Sequence, residues 1–228
     1  ADGNTVNTAA TPPQIAVKAG TEVSGIEVGV SDVSGVAKFT VDGCSEFPCP
    51  ISIDGIDTGM KFTDSGAFIG TPNRAFSGNF EFNVTETVTG IKIAKTVRIV
   101  STDERAPSIA NRNITLDKAG DLRGAVVVSG ASGQYDFVSG TCAGNPTTQV
   151  SFSQDPSTQV IEWTASNLPD TAETIRCTIT VKDKYSQNQG SGTYTYTVAD
   201  TRAPSLQQRN PGMRFMERKT AVSWMLQP

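Results

Sequence analysis

The amino-acid sequence predicts an all-β chain built as tandem antiparallel β-sandwiches. Three observations carry this. Apolar and polar residues alternate with period two in several stretches. Turn residues separate those stretches. A junction motif recurs at about the length of one sandwich.

The strand signals run in order along the chain. "GIEVGV" (25–30) is a β-branched run set between glycines. "FEFNVTE" (80–86) and "KTVRIVS" (95–101) alternate strictly. "GAVVVSG" (124–130) repeats the first pattern, and "RCTITVKD" (176–183) and "TYTYTVAD" (193–200) repeat the second. Val, Ile, Thr, Tyr and Phe fit a pleated, half-buried surface, which is why these runs read as strands. Asp-Gly at 42–43 and 54–55, several Ser-Gly pairs and Asn-Pro at 145–146 mark turns. No stretch of ten residues carries helical apolar spacing.

The repeat is visible in the junctions. "PPQI", "APSI" and "APSL" each place proline two residues before an aliphatic residue. Pro13, Pro107 and Pro204 stand 94 and 97 residues apart. That is the size of one immunoglobulin-type sandwich. The sequence after Pro13 and after Pro107 then runs in parallel. Each has Lys-Ala-Gly, an apolar strand, a Ser- and Gly-rich turn, and an aromatic strand ending near Cys44 or Cys142. The expectation is therefore tandem Ig-like antiparallel β-sandwiches. Residues 1–10 form an extension, 11–103 the first domain and 104–201 the second. Residues 202–228 open a third repeat or form a divergent tail. Proline fixes φ and holds the residue before it extended, which suits a stiff start to an edge strand after a domain boundary.

Composition removes several function classes. Charged residues are 18% of the chain and the net charge is −4, so no basic footprint for nucleic acid exists. No run of 18 apolar residues is present, so no membrane insertion is expected in this segment. There is no histidine, which removes the commonest general base and metal ligand. Cys44, Cys49, Cys142 and Cys177 show no C-x-x-C spacing, and an even count fits disulfides in an oxidising compartment. Three pairings are open. Keeping each bridge within one repeat favours Cys44–Cys49 and Cys142–Cys177; buried free thiols are the other reading.

"GMKFTDSGAFIGTPNRAFSGNFEFNVTE" (59–86) resembles the Ig-like motif of bacterial surface proteins. An apolar strand leads to Gly70-Thr71-Pro72, then to a Gly-aromatic strand, Gly78-Asn79-Phe80-Glu81-Phe82-Asn83-Val84. The Asp-x-x-Ala-Pro junction also resembles those between cadherin-like modules. The second domain lacks Gly-Thr-Pro and rests on the repeat. The resemblance implies a non-catalytic module of bacterial adhesins and appendages. Cadherin-like modules place carboxylates for calcium at such junctions, which makes Asp103, Glu104 and Asp200 candidate ligands, with Asp32, Asp117 or Asp121 from nearby loops; the other reading is solvated carboxylates that cap turns. Calcium wants six to eight oxygens, more than these acids supply, and Arg105 would repel it. No cofactor is expected.

Asp54 and Asp57 in "SIDGIDTG" read as turn residues rather than a catalytic pair, so no enzyme activity is expected. Trp163, Tyr135 and Phe137 read as core aromatics, with Trp163 beside the Cys142–Cys177 bridge, rather than a sugar platform. Loops at one end of a sandwich carry binding; the candidates are Phe47 in "CSEFPC" and Asn145 in "GNPTTQ". The tail concentrates Met213, Met216 and Met225 with Arg209, Arg214, Arg218 and Lys219, and its "TAVSWMLQ" could form a strand that pairs with a neighbour.

The functional expectation is a secreted or cell-surface stalk or adhesion segment. Its partner is a host or neighbouring-cell surface protein or glycan, or the chain itself. The alternative is a self-assembling subunit of a pilus, sheath or fibre that exchanges a terminal strand. A carbohydrate-binding module is the third and weakest option.

Overall fold

The computed structural model describes residues 4–28 and 36–202. The strand expected at 25–30 lies partly outside these residues. Asp32 and the tail 207–228 lie wholly outside them.

Nine strands make the first unit. They are β1 (Thr5–Asn7), β2 (Gln14–Lys18), β3 (Val23–Glu27), β4 (Ala37–Thr40), β5 (Cys49–Ile53), β6 (Ile56–Phe62), β7 (Ala67–Gly70), β8 (Phe76–Glu86) and β9 (Lys92–Thr102). One sheet runs β1-β2-β9-β8-β4 and the other β3-β7-β6-β5. Their inner faces enclose a core rich in phenylalanine. The Phe62 ring lies 4.9 Å from Phe68, 5.0 Å from Phe82 and 5.3 Å from Phe80, centroid to centroid. Strict alternation in "FEFNV" produces this packing: Phe80, Phe82 and Val84 point inward, and Ile15, Val17, Val97 and Ile99 pack from the neighbouring strands.

Nine more strands make the second unit. They are β10 (Ser108–Ile109), β11 (Arg112–Leu116), β12 (Arg123–Ala125), β13 (Val128–Ser129), β14 (Tyr135–Cys142), β15 (Gln149–Gln154), β16 (Ile161–Ser166), β17 (Glu173–Asp183) and β18 (Gln189–Val198). The sheets are β11-β18-β17-β14 and β12-β16-β15, with a small β10-β13 pair beside them. A separate core gathers Ile109, Leu116, Trp163, Ile175, Cys177, Ile179, Tyr194 and Tyr196. The fold is all-β, and the described residues contain no helix.

Three details depart from the sequence reading. First, pairing is not wholly antiparallel: β2 runs parallel to β9, and β11 parallel to β18. The strand that starts each unit lies beside the strand that ends it and runs the same way. Each unit therefore takes in the chain at one pole and releases it at the other. Second, "QGSG" before the expected strand at 193 is part of β18, not a turn. Glycine is needed there because the linker crosses it. A Cβ on Gly190 would lie 1.8 Å from the Pro107 carbonyl oxygen, and one on Gly192 would lie 2.5 Å from that of Ile109. Third, "PISIDGIDTGMKF" forms the β5–β6 hairpin, with Asp54 and Gly55 at φ 55° and 74° in its turn.

Both disulfides are within one unit, Cys44–Cys49 and Cys142–Cys177. The second lies within one sheet. Cys142 and Cys177 face each other directly across β14 and β17 of one sheet. Trp163 shares the second core with Cys177 and meets Tyr196, ring edge to face, at 5.1 Å.

Candidate functional site

The most elaborate polar structure lies where the two units meet. Strand β9 ends at Thr102, and the next residue turns the chain. The Asp103 side chain is fully buried, so its charge must be matched. Arg105 supplies the match from two residues on. Its backbone N–H donates to Oδ1 at 3.0 Å, Nε donates to Oδ1 at 2.8 Å, and Nη2 donates to Oδ2 at 2.8 Å. This is the two-point fork that guanidinium and carboxylate form best. The Asp103 hydrogen bond is the main reason the Arg105 pKa is raised above its ordinary value.

The same guanidinium ties the linker to the first unit. Nη2 also donates to the Asn73 carbonyl at 3.0 Å, in the β7–β8 loop. The second unit grips the linker from the other side. Asn188, in the β17–β18 turn, donates through Nδ2 to the carbonyls of Asp103 (2.8 Å) and Arg105 (3.2 Å). Its neighbour Tyr185 lies under the Arg74 guanidinium, 4.8 Å from ring centroid to charge centre. Arg74 belongs to the β7–β8 loop and is itself buried; Nη2 donates to the carbonyls of Ile53 and Ile56 at 3.4 and 3.2 Å. A cation over an aromatic face is attracted by the ring quadrupole, more strongly where water is excluded.

Asp183 holds the β17–β18 turn in shape. Its buried carboxylate accepts from the N–H groups of Ser132 (2.9 Å), Tyr185 (3.0 Å) and Ser186 (2.8 Å), and from the hydroxyls of Ser132 and Ser186. Burial is the largest influence on its pKa and pushes it up. The Ser132 hydroxyl and the N–H groups of Ser186, Ser132 and Tyr185 outweigh it, so the value falls below the ordinary carboxylate range.

The three acids proposed for calcium are not brought together. Asp103 is engaged by Arg105, Glu104 by Lys18 at 3.2 Å, and Asp200 by Arg202 at 2.6 Å. Asp117 caps the Ala119 N–H, and Asp121 pairs with Arg123 at 3.6 Å. Among the described residues no group of three or more His, Cys, Asp or Glu converges. The residues present do not fit a calcium ion: both Asp103 oxygens already face a fixed positive charge.

The other sequence candidates are separate. Phe47 lies in the β4–β5 connection and packs partly against the first core. Asn145 is exposed in the matching β14–β15 connection of the second unit, where Glu173 holds the loop through the N–H groups of Thr147 and Thr148. They occupy equivalent loops on two units, not one pocket. Asp57 caps the Gly59 N–H at 2.9 Å, beside the Asp54 turn. Sequence reading treated Arg105 only as an obstacle and missed Arg74, Tyr185 and Asn188. The one available signal was the Asp-x-Arg spacing, which occurs at 103–105 and again at 200–202.

No family model and no curated protein matches the chain. Among solved structures it is similar to the EC1–4 region of PcdhgB3, with a TM-score of 0.37 and 10% identity over 82% of this chain and 48% of that one. It is also similar to Drosophila N-cadherin EC1–4, with a TM-score of 0.31 and 15% identity over 82% and 47%. An endo-fucoidan hydrolase of glycoside hydrolase family 107 stands at a TM-score of 0.31 and 14% identity over 82% and 27%. The chain spans about half the length of the two cadherin structures.

Proposed function

We propose that this chain is a non-catalytic extracellular module pair that acts as a stiff spacer in an adhesion-type surface protein. Residues 11–103 and 104–201 are the two modules. The observation that carries the reading is the junction, where Arg105 and Asn188 fix the linker and Arg74 rests on Tyr185. A mobile linker has no use for a buried carboxylate, a forked guanidinium and a cation over a ring. The parallel pairing of first and last strands supports the same reading, because it passes the chain from pole to pole. One disulfide per module fits an oxidising location. No helix among the described residues is long and apolar enough to cross a membrane. The bacterial surface origin follows from the resemblance of residues 59–86 and is part of the proposal, as is a partner protein or glycan on another cell.

The test has two arms. Intact cells that make the protein are labelled with a membrane-impermeant amine reagent; labelling only after lysis defeats the extracellular reading. X-ray scattering of the purified chain should give one extended particle of two modules end to end. A broad distribution of bent shapes defeats the spacer reading.

A further inference from the structure

A broad groove crosses the outer face of the second module's larger sheet. It holds about 690 Å³ and spans β11, β18, β17 and β14. Four strands set about 4.8 Å apart make it about 14 Å long. Its volume falls within the range of about 300–1,000 Å³ that small-ligand sites occupy. It crosses β18 at Thr193 and Thr195, in the middle of that strand and away from either pole.

Strand register builds the groove in rows. Asn113 and Arg176 both pair with Thr195, and Thr141 and Thr193 both pair with Thr178. Alternation turns these side chains outward, because Ile175, Cys177, Ile179, Tyr194 and Tyr196 fill the core beneath. No aromatic residue lines the groove. Its walls are hydroxyl, amide and guanidinium, so they suit a ligand that is polar along its whole length.

The polar groups of this face are left without partners. Asn111 Oδ1 accepts the Thr193 N–H at 2.8 Å, which fixes the amide and leaves its Nδ2 donors unpaired. Among the described residues, no protein group pairs with the Arg176 guanidinium, the Asn113 amide or the hydroxyls of Thr141, Thr178, Thr193 and Thr195. No acid lines the groove, although the chain carries a net charge of −4. The surroundings are different. In the next row the Thr180 and Ser191 hydroxyls meet at 2.8 Å and satisfy each other. On the matching face of the first module, Arg98 of β9 donates to Ser77 at 2.9 Å, and Glu81 stands further along β8.

We propose that this groove binds an acidic saccharide. The Arg176 fork takes the anionic group in two parallel hydrogen bonds. The threonine hydroxyls both donate and accept, as sugar hydroxyls do, and the Asn111 and Asn113 amides donate to sugar oxygens. An apolar ligand would bury these groups without partners. The proposal names the class of glycan that the adhesion reading leaves open, and it rests on that reading. Binding is measured on the purified chain, apart from where the chain resides and how its modules move, so either can fail alone.

Titration of the ¹⁵N-labelled full chain tests it, with trigalacturonate for a carboxylate and a sulfated galactose trisaccharide for a sulfate. At least one should shift the backbone amides of Asn113, Thr178, Thr193 and Thr195, with a Kd of about 1 mM or tighter. Galactotriose and the methyl ester of trigalacturonate carry no charge and should bind about tenfold more weakly. Arg176→Ala should weaken binding of the acidic saccharide by about tenfold, and Thr178→Val with Thr193→Val by about threefold or more. Unchanged melting shows that each variant is folded, and the uncharged saccharides test the charge on the wild type in any case. The proposal is overturned if neither acidic saccharide shifts these amides at about 10 mM, or if the shifts fall outside the groove. It is equally overturned if the uncharged saccharides bind as tightly, or if binding survives Arg176→Ala.

Discussion

Asp183→Ala probes the turn on which the junction depends. The carboxylate is the only acceptor described for three backbone N–H groups, those of Ser132, Tyr185 and Ser186. All three are partly buried, so water replaces the lost acceptor only in part. At about 1 kcal/mol for each orphaned donor, the change costs about 3 kcal/mol. Tyr is confined to residues 135–196, and Trp163 is the one Trp before the tail, so aromatic fluorescence from the two modules reports the second alone. With a urea slope of about 1.5 kcal/mol/M, the Trp163-monitored midpoint should fall by about 2 M. A fall below about 0.5 M would refute the reasoning. The acid dependence follows the same logic. The folded pKa of Asp183 is depressed, so its contribution is complete above the unfolded value of about 4 and is lost as pH falls through the folded value. The stability gap between wild type and Asp183→Asn should therefore shrink on acidification below about pH 4. A gap that grows would show the sign to be wrong.

Other outcomes follow from the same structure. Replacing Cys142 and Cys177 together by Ser should cost about 4 kcal/mol in the Trp163-monitored transition, from a loop closed at a sequence separation of 35. The same change at Cys44 and Cys49, a separation of 5, should cost about 2 kcal/mol and leave that transition in place. Arg105→Ala should destabilise the first module by about 2 kcal/mol, allowing for the guanidinium's partial exposure, because Asp103 stays buried with only a backbone donor. Calorimetry of wild type with calcium and with chelator should give one melting temperature; a rise with calcium would contradict the assignment of Asp103 to Arg105. Gly190→Ala should cost about 2 kcal/mol or more, since the linker carbonyl must move, and a neutral result in the urea assay would contradict the close crossing.

The alternating runs read from the sequence are strands with two different faces, whereas the continuous run "GAVVVSG" is split between β12 and β13. β8, β9, β17 and β18 alternate because one side meets a core and the other meets water, and that difference is written residue by residue. Partner choice is not written that way. The parallel pairs β2–β9 and β11–β18 join residues more than 80 positions apart, and nothing local in "QIAVK" names its neighbour. The glycines of β18 look like turn residues until the linker that crosses them is placed. The junction is legible in the sequence through its repeat, but the partners of its charges are not. Its acids permit a calcium reading that Arg105 already weakens, and the fork of Arg105 on Asp103 appears only in three dimensions. Arg74 gave no local signal: its burial arises from the β5–β6 hairpin and Tyr185, both remote in sequence.

The central claim is that the two sandwiches move as one body through Arg105, Asn188 and the Arg74–Tyr185 contact. Backbone ¹⁵N relaxation of the full chain measures this directly. The account predicts that amides of both modules fit one anisotropic rotational diffusion tensor, and that Arg105→Ala combined with Asn188→Ala splits it in two. Wild-type modules that already tumble with separate, shorter correlation times would contradict it.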